Sequence, residues 1–366
     1  MAAADQKTGQ PASIVPASIV PGGDQDWAAL VPLATLTAWM DARGLGDGPI
    51  ESPRLLPGGT QNILLRFSRA GREYVLRRPP KHLRANSNET MRREARVLAA
   101  LAGTDVRHPA LIAAEPAEDV IGAAFYLMAP IDGFCPRDEM PALHAGDPAI
   151  RHAMGLEMFG AIGALANVDW RAKGLEGLGK LDGYLERQVP RWRAQLESYH
   201  EHAGWPGLGG LPGVTEIGRW LEEHRPPSFE PGLIHGDFHF GNVLFRRDGP
   251  EIADMVDWEL TTLGDPLVDL GGVLSGWPPD GADAGPVKPW SGFPTRAELI
   301  DHYAKITGAD VARADWYEVL ACYKIGCILE GTYARACAGK AAKVTGDYLH
   351  NNTLGLFRRA LEKIGG

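Results

Sequence analysis

The sequence predicts an α+β protein of two lobes, a small N-terminal lobe on an antiparallel sheet and a larger, mainly helical C-terminal lobe. Three observations lead there. Residues 54–77 carry short strand-like runs broken by glycine turns, followed by an amphipathic helix and a further strand. Beyond Gly133 nearly every apolar pattern has the helical period. The length, 366 residues, exceeds that of a typical single domain. The expected division is a disordered tail over 1–24, an N-lobe over 25–131 and a helical C-lobe over 132–366.

The elements follow in order. Leu30, Leu33, Leu36 and Trp39 or Met40 recur at helical spacing between Asp26 and Arg43, and Gly44 and Gly46 stop that helix. Arg54 to Phe67 reads as strand, glycine turn (Gly58-Gly59-Thr60-Gln61-Asn62) and strand, and Glu73 to Arg77 as a third strand. Asn86 and Glu89 have capping-box spacing ahead of a helix running to Leu101. Ala123 to Ala129 is strand-like after a turn-rich segment. Helices are expected over 148–168, 181–202, 214–224, 296–306 and 314–338. Within that lobe only 233–235, 243–245 and 252–257 read as strand, in a hairpin-like arrangement, and the Gly/Pro-rich stretches 203–213 and 276–294 read as loops.

Composition excludes several classes. With 37 Lys+Arg against 46 Asp+Glu the formal charge is −9, which argues against a nucleic-acid partner. Prolines interrupt the duplicated Pro-Ala-Ser-Ile-Val segment near the N-terminus, and no later window is apolar for the ~18 residues a membrane span needs. Cys135, Cys322, Cys327 and Cys337 form neither a C-x-x-C pair nor a His-supported metal motif. A cytoplasmic protein without nucleic-acid or membrane partners is expected; its oligomeric state is not legible.

The most specific segment is His235-Gly236-Asp237-Phe238-His239-Phe240-Gly241-Asn242, followed by Asp257-Trp258-Glu259 at the end of a strand. Phosphoryl transfer needs a carboxylate that orients the acceptor and oxygen ligands for Mg²⁺, and the kinase catalytic loop supplies them in this order. A single Asp or Asn more often caps a turn; the joint spacing favours chemistry. Such a site also needs a basic residue on the third strand and a glutamate on the next helix. Glu94 shares a helical stripe with Val97, Leu98 and Leu101, so it reads either as a core-side carboxylate that needs a cationic partner or as a solvated residue at the stripe's edge. Arg77 ends the third strand, and Arg78 takes its opposite face.

These residues, with Tyr74 to Pro80, Arg93-Glu94, Tyr184 to Trp192 and Gly264 to Leu270, resemble the aminoglycoside phosphotransferase-like branch of the protein-kinase-like fold. More narrowly the chain is similar to the kinase domain linked to acyl-CoA dehydrogenases and its free-standing bacterial relatives. The resemblance covers nearly everything after the first 25 residues. It implies a bilobal kinase-like fold and an ATP- and Mg²⁺-dependent transferase acting on an alcohol group. Asp237 becomes the catalytic-loop aspartate, Asn242 and Asp257 the Mg²⁺ ligands, Glu94 the partner of the strand cation, and Gly58, Gly59, Thr60 and Asn62 part of the nucleotide-binding turn. Arg77 stands where the wider pattern has Lys; it keeps the charge, with a planar fork in place of a point charge. His239, two residues after Asp237, reads either as a donor to the γ-phosphate or as a histidine packed in the loop. His235 reads as structural, bracing the Asp257 turn.

The segment after the last small-lobe strand serves as the hinge to which adenine binds. Pro130 lacks an N–H, so the Ala129 carbonyl and the Ile131 N–H are the available pair, with Met128 flanking the base. Gly174 to Lys180 matches G-x-x-x-x-G-K, but Leu181 follows where a P-loop needs Ser or Thr, and it reads as a loop. The resemblance leaves the acceptor open between a hydroxyacyl-CoA and an aminoglycoside or choline-like alcohol. A CoA acceptor needs cations, for which Arg187, Arg191, Arg193, Lys324 and Arg335 are candidates. A non-transferring, ATP-binding regulatory or scaffolding module is the rival; the complete Asp237, Asn242, Asp257 and Glu94 set favours an enzyme.

Overall fold

The computed structural model describes residues 27–56, 62–83, 86–282 and 285–365. The expected N-terminal tail and the turn residues Gly58, Gly59 and Thr60 lie outside them. Five strands form the sheet of the small lobe: β1 (Glu51–Leu55), β2 (Ile63–Arg69), β3 (Arg72–Arg78), β4 (Leu111–Glu115) and β5 (Phe125–Met128). Their order is β1-β2-β3-β5-β4, each pair antiparallel. Strand alternation sends Leu65, Phe67, Tyr74 and Leu76 to one face, where they pack with Leu36, Trp39 and Met40. Val75 and Arg77 take the other face, toward α3 (Ser87–Leu101).

Two expectations for this lobe need correction. The helix expected between Asp26 and Arg43 is two helices, α1 (Trp27–Leu30) and α2 (Leu33–Asp41), because Pro32 has no N–H with which to continue the first. The capping box of Asn86 and Glu89 does not form. Asn86 sits at φ −110°, ψ 10° rather than in extended backbone, and its side chain makes no cap hydrogen bond. Glu89 instead lies 3.7 Å from Arg92. Strand β4 also falls in a stretch that reads as turns.

The large lobe holds α4 (Ala142–Gly146), α5 (Pro148–Ala166), α6 (Gln188–Glu197), α7 (Val214–Glu223), α8 (Leu267–Gly276), α9 (Arg296–Thr307), α10 (Ala314–Cys337) and α11 (Lys343–Gly365). Helices α5, α7, α9 and α10 match the expected segments. The one expected from 181 begins only at Gln188, after turns in which Gly183 adopts φ 60°. An apolar cluster from β3 and α3 through α5 to α8 joins the two lobes, and a second fills the space between α6, α7, α10 and α11.

Two short antiparallel ribbons position the site. β6 (Gly232–Ile234) pairs with β9 (Thr262–Gly264), and β7 (Val243–Phe245) with β8 (Ile252–Met255). The expected hairpin between 243–245 and 252–257 is thus present, whereas the segment at 233 pairs elsewhere. Chain order then pins both ends of two loops: residues 235–242 run from β6 to β7, and Asp257 to Thr261 from β8 to β9. The long loop after α8 buries Trp277 and Trp290, whose rings pack with Phe293 and with Phe240 of the first loop. Among the described residues no helix is long and apolar enough to cross a membrane.

Candidate active site

Loop 235–242 is shaped by its backbone. Gly236 adopts φ 86°, and a Cβ there would lie 2.7 Å from the Leu260 carbonyl oxygen, so only glycine fits. Asp269 of α8 accepts the amides of His235 (2.6 Å) and Gly236 (2.9 Å), one on each oxygen, and Lys324 Nζ of α10 donates to the Gly236 carbonyl at 3.0 Å. His235 is fully buried, with Nε2 3.0 Å from the Val256 carbonyl, and so ties this loop to the residue before Asp257. That is the bracing role its position suggests.

Asn242 is buried and donates Nδ2 to the Asp237 carbonyl (2.9 Å) and to Asp237 Oδ2 (3.3 Å). This orientation spends the amide nitrogen on Asp237 and leaves Oδ1 as an acceptor. Burial, and next the neighbouring Asp257, push the Asp237 carboxyl up to about 7. His239 accepts the Gly241 amide at Nδ1 (2.9 Å), so the proton of the neutral ring resides on Nε2. That Nε2 is buried, takes no hydrogen-bond partner among the described residues, and sits 3.8 Å from Asp237 Oδ1. Burial, with Arg137, holds the ring down at about 4, so it is neutral at pH 7. His239 is thus packed in its loop and still presents a donor beside Asp237.

The second half comes from the small lobe. Arg77 Nε lies 2.8 Å from Glu94 Oε2, and Nη2 donates to Glu94 Oε1 (3.1 Å) and Asp257 Oδ1 (2.9 Å). Glu259 Oε2 is 3.8 Å away. Glu94 is 1% exposed and also accepts the Tyr126 hydroxyl at 2.7 Å. Burial would lower the Arg77 pKa, yet Glu94 first, then Tyr126, Asp257 and Glu259, hold it well above its ordinary value. Burial, reinforced by Asp257, pushes Glu259 up to about 8. Helix α3 is fixed against the Asp257 loop by Arg93, which donates to the Leu178 (2.9 Å) and Thr261 (3.2 Å) carbonyls. Arg78 is no alternative to Arg77, since its guanidinium bonds the carbonyls of Leu30, Pro79 and Ile121 on the other face.

Among the described residues one cation, Arg77, thus faces Glu94, Asp257 and Glu259, and Asp257 lies close enough to Asp237 to raise the cost of charging it. Asn242 Oδ1 and Asp257 form an all-oxygen donor set suited to a hard divalent cation, and the surplus of negative charge is what such an ion would relieve. Among the described residues no group of three or more His, Cys, Asp or Glu is placed to hold a metal ion by itself. Residues 128–131, the expected hinge, begin at the last residue of β5. The Ala129 amide donates to the Ala110 carbonyl (2.9 Å), whereas the Ala129 carbonyl and Ile131 amide take no main-chain partner among the described residues. Met128 is buried, and Asn62 is half-buried just before β2.

A family model described as the phosphotransferase enzyme family matches residues 53–313, most of the chain and every residue of this site but Lys324. The chain belongs to the phosphotransferase enzyme family. Acyl-CoA dehydrogenase family member 10 of Mus musculus is 29% identical over 307 residues, covering 81% of this chain and 28% of that protein. The chain spans less than half the length of the curated relatives it matches. A Ralstonia eutropha JMP134 protein provisionally named an aminoglycoside phosphotransferase is 28% identical in its crystal structure. It superposes with a TM-score of 0.75 over 90% of this chain and 98% of that one. A ternary complex of aminoglycoside phosphotransferase APH(4)-Ia with ADP and hygromycin B aligns at a TM-score of 0.55, covering 88% of this chain and 97% of that chain. At 13% identity that likeness shows the fold alone.

In this phosphotransferase a cavity of about 720 Å³ opens beside Asp237 and His239, between α8, α10 and α11. Lys324 lines it, alone among the five cations considered for CoA. Arg193 is paired with Glu222 at 3.2 Å, and Arg187 is turned to the Lys180 and Asp182 carbonyls. Arg191 is exposed, its guanidinium 4.8 Å from the Trp192 ring. Asp269, Glu259 and Tyr126 take parts in the site that sequence reasoning did not assign. For Asp269 a signal existed, in the Gly264 to Leu270 run that contains it; Tyr126 and Glu259 acquire their roles only through packing.

Proposed function

We propose that this protein transfers the γ-phosphoryl group of ATP to a hydroxyl of a small molecule, and that the acceptor is a hydroxyacyl-CoA. The observation that carries the first half is the meeting of Asp237 and Asn242 with Asp257, Arg77 and Glu94, drawn from two lobes onto one cleft. In this reading Asp237 accepts a hydrogen bond from the acceptor hydroxyl and takes its proton as the oxygen bonds to phosphorus. The bond from the γ-phosphorus to the bridging oxygen breaks, and ADP leaves. The neutral His239 ring donates Nε2–H to the transferring group, and Arg77, steadied by Glu94, faces the α- and β-phosphates. Bound Mg²⁺, held by Asn242 and Asp257, would neutralise charge on the β- and γ-phosphates. The Ala129 carbonyl and Ile131 amide are free to take the adenine edge.

The charges of the cavity bear on the acceptor. Its carboxylates are Asp237 and Asp269, the latter engaged by two amides; of its cations, Lys324 donates to the Gly236 carbonyl, Arg359 is paired with Glu318, and Arg137 is the third. This lining offers no surplus of carboxylates to a polycation such as an aminoglycoside. The likeness to acyl-CoA dehydrogenase family members 10 and 11 is what supports reading the acceptor as a hydroxyacyl thioester. Incubation with ATP labelled at the γ-phosphate and a panel of hydroxyacyl-CoA thioesters, choline and hygromycin B tests this. Label should appear on the thioesters; label confined to the amines would refute the acceptor, and label on none would refute the transfer.

A further inference from the structure

The cavity beside Asp237 has a construction that catalysis alone does not require. Each of three helices gives it one face at helical spacing: Tyr317, Ala321, Lys324 and Ile328 from α10, Val268 and Gly272 from α8, and Tyr348, Asn352 and Gly355 from α11. Beyond the mouth at Asp237, His239 and Lys324 most of the lining surface is apolar, with Val268, Leu320, Ile325, Ile328 and Leu356 contributing, but Ser275, Tyr317, Tyr348, Asn351, Asn352 and Arg359 are interspersed among them.

Gly272 and Gly355 lie inside helices, where glycine weakens the structure relative to any residue with a side chain. Some other helical glycines have packing reasons. A Cβ on Gly271 would meet the Tyr317 carbonyl oxygen at 2.3 Å, and one on Gly326 would meet the Phe357 ring at 2.5 Å. A Cβ on Gly272 or Gly355 would meet nothing within 4 Å outside its own helix. Both open into the cavity. Gly276, at the end of α8, has the same open surroundings and also lines the cavity. Nothing packs against Gly272 or Gly355; Gly272 is half-buried in the wall and Gly355 is exposed at the rim, so the missing side chains leave space in the wall and at the entrance.

We infer that this cavity holds the apolar chain of the acceptor, with the reacting hydroxyl at Asp237, and that Gly272 and Gly355 set the length and bulk of chain admitted. The inference rests on the transfer reading above. The occupant follows from continuity with Asp237 at one end and from the mostly apolar lining beyond it; a volume of about 720 Å³ is that of a small-molecule pocket. A Cβ at either glycine comes within 4 Å of none of Asp237, Asn242, Asp257 or Arg77.

The test has two arms. In the first, dansyl-labelled undecanoic acid is titrated into wild type, Gly355→Ala, Gly355→Leu and Gly272→Leu, and Mg²⁺·ATP binding and Tm are measured on the same samples. Wild type should bind the probe saturably, and the leucine variants about tenfold or more weakly with the alanine variant between, nucleotide affinity and Tm being kept. In the second, kcat/KM is compared for short- and long-chain hydroxyacyl-CoA; the leucine variants should lose long-chain turnover by about tenfold and keep short-chain turnover within about threefold. Absence of saturable probe binding by wild type, or equal affinity in all variants, overturns the inference. So does an equal loss for short and long chains. Because two glycines on different helices are changed, a variant that misfolds leaves the other to decide. Glycine-dependent probe binding without phosphorylation of any hydroxyacyl-CoA would leave the chamber standing and defeat the transfer reading.

Discussion

Replacing Arg77 by Ala should harm the fold more than replacing Glu94 by Ala, and the asymmetry can be worked from the contacts. Glu94→Ala leaves Arg77 still facing Asp257 at 2.9 Å and Glu259 at 3.8 Å, so the buried cation keeps a counter-ion. What is lost is the acceptor of the Tyr126 hydroxyl and a small packed volume, together about 2 to 4 kcal/mol. Arg77→Ala removes the only cation within 4 Å of Glu94 among the described residues and strips Asp257 and Glu259 as well. Glu94 is 1% exposed, so little solvent compensates, and a loss of about 3 to 5 kcal/mol or more is expected. In the double variant the carboxylate stranded by the first change is gone, so the two losses should fall short of additivity by at least about 1 kcal/mol. Urea unfolding followed by tryptophan fluorescence at one pH measures all three, and Mg²⁺·ATP titration reports the accompanying loss of phosphate affinity. Additive losses, or a larger loss for Glu94→Ala, would refute the energetic pairing of Arg77 with Glu94.

Other outcomes follow from the same contacts. Asp269→Ala frees the amides of His235 and Gly236, so kcat should fall by about 10²-fold or more while KM for ATP moves little; unchanged kcat would show that α8 does not set the loop. Asn242→Ala and Asp257→Ala should each weaken the Mg²⁺ dependence of nucleotide binding, read by calorimetry at several Mg²⁺ concentrations. Asp254 on β8 is pushed up to about 7 by burial, only partly offset by Arg107. Its folded pKa exceeds the unfolded value of about 3.9, so its ionised form opposes folding, fully above pH 7 and progressively less as pH falls toward 4. Asp254→Asn should therefore raise stability by about 1 to 2 kcal/mol at pH 8, after allowance for partial exposure, and by little near pH 4. A gain independent of pH would contradict the assignment.

Legibility differed between elements for physical reasons. Arg77 and Glu94 could be paired in advance because strand alternation and helical stripe each fix a face, and two charged groups buried on facing surfaces must meet. The loop with Asp237 and Asn242 was legible because its spacing is unusual for a turn. Pro32, by contrast, outweighs an apolar pattern that runs straight through it. Helices α8 and α11 escaped notice because glycines and polar residues dilute their periodicity, and the cavity between α8, α10 and α11 explains two of those glycines. The Asn86 cap failed because the backbone there is not extended, which side-chain identity does not reveal. The contact of Arg77 with Asp257, 180 residues apart, is set only when the lobes close on each other.

The most direct test of the phosphoryl-transfer mechanism is transfer of labelled γ-phosphate to a hydroxyacyl-CoA by wild type and by Asp237→Asn, with Mg²⁺·ATP affinity measured on the same samples. Asp237 touches Asn242 and loop atoms and is placed to meet the acceptor hydroxyl, so asparagine should preserve nucleotide affinity while kcat falls by about 10²- to 10⁴-fold. Transfer by Asp237→Asn at a rate close to wild type would contradict the role given to this carboxylate and, with it, the proposed mechanism.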